Sequence, residues 1–233
     1  MRRFLWFTLI FLSGLSGLIY EVVWHRYLAI LLGAQARATA VVLAIFLGGI
    51  SLGYAAFGRW SQTKSWNLLR TYSFVELALG FWAVLFPLFF KIAQPVTSTF
   101  YAWFVVKSLF IDIFMSTLLI GFPTFLMGGT LPLLTQGLAE DLDKASKTHA
   151  MIYGVNTVGA CFGCLLAGYV LIPGLGLWGT VQIAAGGNFL VSVVAYFYLS
   201  RSFTVRTAKE IKKTKLTPLT AHSKTLLLLG HVS

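Results

Sequence analysis

The chain has 233 residues, of which 58% are hydrophobic and 11% charged, and a formal net charge of +11. Soluble domains carry about 25% charged residues, so this composition excludes an ordinary water-soluble domain, and two cysteines exclude a disulfide framework. The basic excess lies between apolar runs, which points to membrane orientation rather than to nucleic acid.

Met1–Arg3 is a short basic start followed at once by apolar sequence. A signal peptide with a small-residue site near Ser13–Gly17 is one reading. The apolar run continues well past a signal core, so an uncleaved first span is expected. Its stretch Phe11–Gly33 carries Glu21, His25 and Arg26. A charge at bilayer depth costs roughly 2.5–3.5 kcal/mol on insertion scales, so these groups should be paired or face a cavity. Glu21 and His25 are four residues apart and share one helix face. Gly17 and Gly14 continue that face, and small residues let another helix approach. The charged face is therefore expected to be the packing face.

The second span is expected over Ala38–Phe57, with Gly49 and Gly53 as a GxxxG packing pair. The third is expected over Tyr72–Ile92. Glu76, Gly80, Ala83 and Pro87 share a face there, and Glu76, near the end of the helix, either reaches headgroup water or is a carboxylate at membrane depth. Pro95–Lys107 reads as an interfacial loop rich in aromatic residues.

The fourth span is expected over Ser108–Leu134, with Asp112 and Ser116 on one face. Within it, Pro123, Gly128, Gly129 and Pro132 predict a helix break. Irregular backbone at that depth survives only beside protein or water, and broken helices line substrate sites in transporters. A kink with a purely structural role is the alternative.

Ala139–Thr148 reads as a charged loop, Met151–Ile172 as the fifth span, Pro173–Gly176 as a tight turn and Leu177–Leu199 as the sixth. Asn156, Gly159, Ala160, Gly163 and Ala167 form a small-residue face that a neighbouring backbone should fill. Cys161 and Cys164 are expected to be packing residues rather than a redox or metal pair. Gln182 and Asn188 are buried polar candidates. Residues 1–200 thus form an all-α, polytopic membrane bundle of about six spans. Residues 201–224 form a basic linker, and 225–233 an apolar start of a further helix, echoing Thr8–Ser16. Placing both termini in the cytoplasm puts 14 Lys and Arg inside and 3 outside, as the positive-inside rule requires.

The runs SGLSGLIYEVVWHRYL, FLGGISLGYAAFGRW, PTFLMGGTLPLL and YGVNTVGACFGCLLAGYVLIPGLG resemble the membrane portion of bacterial fused major-facilitator/spermidine-synthase proteins. The resemblance covers about Leu9–Gly176, and its most specific elements are Glu21, Trp24 and Arg26 and the stretch Asn156–Gly163. It implies a multi-pass protein of the bacterial cytoplasmic membrane. It further implies a partner half, either a homodimer mate or a second set of helices. In that family a soluble domain follows that would transfer an aminopropyl group. This chain has no such domain, so none of the family's catalytic residues can be placed on it.

Two functions are consistent with these features. One is a transporter half for a polyamine or another small cation, using Glu21, Glu76 and Asp112 as counter-charges, with Trp24, His25, Arg26 and Asn156 completing the polar set. The other is a membrane anchor or scaffold for a spermidine-synthase-like domain or other partner. No zinc-type spacing, nucleophile elbow or phosphate loop is present, so no metal, cofactor or enzyme activity is expected in this chain.

Overall fold

The computed structural model describes residues 2–63, 67–103, 108–138 and 142–199. Among these the regular structure is entirely helical: α1 Arg2–Leu32, α2 Gln35–Thr63, α3 Leu68–Trp103, α4 Ser108–Ser116, α5 Phe122–Leu138, α6 Leu142–Leu166 and α7 Ile172–Val194. Wider π-helical turns, Thr117–Gly121 and Ala167–Leu171, carry α4 into α5 and α6 into α7, and a third, Ala195–Leu199, follows α7. The expected linker at 201–224 and the apolar segment at 225–233 lie outside the described residues.

Five helical stretches are long and apolar enough to cross a membrane: Phe4–Leu32, Gln35–Ser61, Leu68–Tyr101, Leu109–Leu138 and Ser146–Phe197. Large apolar side chains such as Phe81, Leu88, Phe110, Phe114, Tyr169 and Trp178 are exposed on the outside. In water they would be an aggregation surface; in a bilayer they are what lipid contacts. The chain is a helical bundle whose helices are long and apolar enough to suggest a membrane protein.

The 52-residue stretch Ser146–Phe197 is interrupted at Gly176, whose φ of 68° and ψ of 179° are non-helical. That backbone region is open almost only to glycine. The helices on either side run in opposite directions. Gly159 of α6 lies against the Phe11 carbonyl of α1, and Gly163 against the Leu15 carbonyl, so α6 runs parallel to α1. In contrast, Val191 and Ala195 of α7 share a core cluster with Trp6, Leu9 and Ile10, whereas Val181 and Ala184 share one with Ile19, Trp24 and Leu28. So α7 runs antiparallel to α1, and the chain doubles back around the expected turn at Pro173–Gly176.

Helix α1 is the hub, packing against α2, α3, α6 and α7. Two parallel helix pairs, α1 with α6 and α2 with α5, are built alike. In the first, Gly14 faces the Asn156 carbonyl and Gly159 faces the Phe11 carbonyl; in the second, Gly128 faces the Ile50 carbonyl and Gly53 faces the Phe125 carbonyl. In all four helices the carbonyl precedes the glycine by three residues, and only a residue without Cβ admits so close a backbone. The small-residue faces expected on α2 and α6 are both filled in this way.

Three expectations about the elements fail. Helix α3 begins at Leu68 and runs through Pro87 and Pro95 to Trp103, so the first part of the expected loop at Pro95–Lys107 is helical. The expected charged loop at Ala139–Thr148 is helical from Leu142 onward. The break expected at Pro123, Gly128, Gly129 and Pro132 is absent: α5 passes through all four as one helix. The irregularity lies one turn earlier, at Thr117–Gly121. Proline at 123 cannot donate to the carbonyl four residues back, which is that of Leu119. The Trp82 indole Nε1 of α3 donates to that carbonyl instead, at 3.0 Å. Gly128 and Gly129 are contact positions, against Ile50 and Phe57 of α2.

Candidate functional site

The polar residues singled out from the sequence fall in three separate places rather than one cluster. The first is the centre of the bundle, where α1, α3 and α7 meet. Glu76 is fully buried and does not reach headgroup water. Ser13 Oγ donates to its Oε1 at 2.6 Å, and Asn188 Nδ2 donates to its Oε2 at 2.8 Å. The Tyr20 hydroxyl donates to Asn188 Oδ1 at 3.2 Å. Around this chain Ser16 Oγ donates to the Ala184 carbonyl and Ser192 Oγ to the Ser73 carbonyl. The local sequence sets this up: Ser13, Ser16 and Tyr20 recur at helical spacing on α1, as do Ser73 and Glu76 on α3 and Asn188 and Ser192 on α7.

The second place is an open cavity of about 330 Å³ between α1 and α2, lined by Glu21, Val22, His25, Arg26, Gln35, Thr39, Val42 and Leu43. Glu21 and His25 do share a face, as their spacing requires. That face is packed only in its first half. Gly14 presses on α6, Gly17 has no atom within 4 Å of where a Cβ would stand, and beyond it the face opens. The expectation that these charges are shielded inside the bundle is therefore corrected: Glu21 is half-buried at the cavity wall and Arg26 is exposed. Among the described residues the Glu21 carboxylate has no hydrogen bond or ion pair, and no salt bridge joins it to Arg26.

His25 Nε2 lies 2.9 Å from Thr39 Oγ1. The Thr39 hydroxyl hydrogen is already given to the Gln35 carbonyl, at 2.9 Å. Nε2 therefore carries a hydrogen and donates to Thr39. Trp24, in the same sequence element, turns the other way. It stacks on Tyr20 at 5.3 Å and packs on Phe86 at 5.5 Å, inside the core.

The third place joins α2, α3 and α4. Asp112 is fully buried and accepts a hydrogen bond from the Tyr101 hydroxyl; Arg37 Nη1 is 4.0 Å from its other oxygen. Asn156 belongs to none of the three, because its carbonyl and side-chain oxygen lie against Gly14.

The sequence reading missed Ser13, Tyr20, Arg37, Thr39, Trp82 and Tyr101 as partners. For the first two a signal existed, the polar recurrence along α1. For the others none did, because their contacts come from different helices. Cys161 and Cys164 are free and exposed on α6, so they are not packing residues within this bundle. Among the described residues no group of three or more His, Cys, Asp and Glu is placed to hold a metal ion. Compared with protein-family models, with curated proteins and with solved structures, the chain matches none.

Proposed function

We propose that the chain is a six-pass bundle of the bacterial cytoplasmic membrane with its N-terminus inside. In this reading it forms one half of a transporter for a small organic cation of the polyamine type, as its resemblance to the membrane part of the fused major-facilitator/spermidine-synthase proteins implies. The six passes are supported by the opposite directions of α6 and α7 relative to α1. A half-transporter is supported by the pairing of the spans. Number α1 to α3 as spans one to three, α4 with α5 as span four, and α6 and α7 as spans five and six. The packed pairs one–five, three–six, one–six and one–two become four–two, six–three, four–three and four–five when the two sets of three are exchanged, and all of these pack. Such an internal repeat is a transporter architecture.

One observation carries the choice of ligand: the unpartnered carboxylate of Glu21 in an open cavity of about 330 Å³. That volume lies at the small end of ligand pockets, and an intramembrane carboxylate without a partner is a functional group by default. His25 stands beside Glu21 on the cavity wall, its Nε2 bonded to Thr39. Arg26, whose side chain is exposed, lines the same cavity, and a bound cation competes with its guanidinium for the Glu21 carboxylate. No catalytic step is assigned to this chain.

The test is uptake of labelled spermidine into proteoliposomes holding the full chain. Uptake that is absent, or unchanged in Glu21→Gln, removes this reading. The second reading, a non-transporting anchor or scaffold, is favoured by the Ser13–Glu76–Asn188–Tyr20 chain, in which both carboxylate oxygens of Glu76 are bonded within the bundle. It predicts no uptake together with retention of a partner at the membrane.

A further inference from the structure

Beyond the cavity at Glu21, we propose that Asp112, Ser116 and Thr97 form a second site, one that binds a sodium ion. The first observation is three buried oxygens that make no hydrogen bond among the described residues: Asp112 Oδ2, Ser116 Oγ and Thr97 Oγ1. All three residues are at least nine-tenths buried. Other helix hydroxyls turn back to their own carbonyls, as Ser51 does to Leu47, Thr117 to Ile113 and Thr157 to Tyr153, or donate across to another helix, as Ser16 and Ser192 do. Ser116 and Thr97 do neither among the described residues.

The second observation is their placement. Asp112 and Ser116 are one turn apart on one face of α4, and Thr97 and Tyr101 are one turn apart on one face of α3. The Tyr101–Asp112 hydrogen bond brings those two faces together. Ser116 is the last residue before the π-helical turn Thr117–Gly121. Such a turn shifts the pairing of backbone carbonyls and is frequent at functional sites. Loosened backbone carbonyls coordinate sodium in transporters with interrupted helices, and a carboxylate and two hydroxyls add oxygen donors of the same hard kind.

The third observation is charge. A buried carboxylate needs a counter-charge. Among the described residues Arg37 is paired with it, at 4.0 Å and with a side chain 60% exposed, too far for a hydrogen bond. A single carboxylate among neutral oxygens suits a monovalent ion; a calcium site collects six to eight oxygens, several of them charged. Arg37 is then the competitor of the ion: it neutralises Asp112 loosely when sodium is absent and turns to solvent when sodium binds.

The test uses the full chain in detergent, with thermal unfolding followed in sodium chloride and in choline chloride at equal ionic strength. The expected result is a midpoint that rises saturably with sodium, as a ligand binding only the folded state requires. The rise is lost in Asp112→Asn and Ser116→Ala. In Arg37→Gln it reaches half its maximum at a several-fold lower sodium concentration, whereas loss of a merely structural ion pair would lower the midpoint in both salts alike. Equal midpoints for the unaltered chain in sodium, potassium and choline salts overturn the proposal and leave ordered water as the partner of these oxygens. Should Asp112→Asn not fold, the salt comparison on the unaltered chain and on Ser116→Ala and Arg37→Gln still decides it.

Discussion

Asn188 and Glu76, 112 residues apart, are joined by a 2.8 Å hydrogen bond in the middle of the bundle. With Ser13 on the other carboxyl oxygen, one side chain ties α1, α3 and α7 together. Glu76→Ala orphans two buried donors, and each costs about 1–3 kcal/mol. A loss of roughly 2–4 kcal/mol in detergent unfolding is expected. A double-mutant cycle with Asn188→Ala should give a coupling of about 0.5–3 kcal/mol; additive losses would contradict the hydrogen bond.

Trp82 has a comparable duty toward Pro123. Because its indole satisfies the Leu119 carbonyl, Trp82→Phe leaves that carbonyl bare and should cost about 1–3 kcal/mol. The exposed Trp178 is the control, and Trp178→Phe should stay within about 0.5 kcal/mol. Equal effects at the two positions would show that the Trp82 bond is not made.

Glycine substitutions separate packing from propensity. Alanine is the better helix former by about 1 kcal/mol, so Gly154→Ala, at a position with open space, should be neutral or stabilising. Gly53→Ala and Gly159→Ala drive a methyl group into the Phe125 and Phe11 carbonyls. They should lower the melting temperature, with a loss at or above the about 1–3 kcal/mol of ordinary overpacking. The opposite signs are the prediction, and a common sign refutes it.

Gly176 makes the reversal between α6 and α7 with φ at 68° and ψ at 179°. Gly176→Ala is expected to cost about 1–3 kcal/mol, read as a lower unfolding midpoint. No change would mean that the chain turns elsewhere.

Glu21→Gln is expected to leave stability within about 0.5 kcal/mol, because Glu21 has no partner to lose. Cation uptake should fall in the same variant. A collapse in stability would instead place Glu21 in a structural network.

The helical class and the close-packing faces were legible because glycine spacing reports directly on which faces meet. Gly49 and Gly53, and Gly159 and Gly163, needed no knowledge of their partners. The helix break was misread because proline acts on a carbonyl four residues earlier, and another helix could repair it: nothing near Pro123 in the sequence announces Trp82. Glu76 was left between two depths for a related reason. Its depth looked marginal from α3 alone, but α3 extends further toward its N-terminus than its apolar run, which draws Glu76 inward. The face of Glu21 was right and its surroundings wrong, since helix periodicity gives a direction and not how far along it the neighbour extends.

The glycine-to-carbonyl contacts make each parallel pair, α1 with α6 and α2 with α5, behave as a single stiff beam. The beams meet along two seams, α1 with α2 and α5 with α6. At each seam one side-chain bond between a histidine and a threonine crosses over, His25 with Thr39 and His149 with Thr135. Rocking of one beam on the other therefore concentrates at those two latches. The first of them borders the cavity that Glu21 lines.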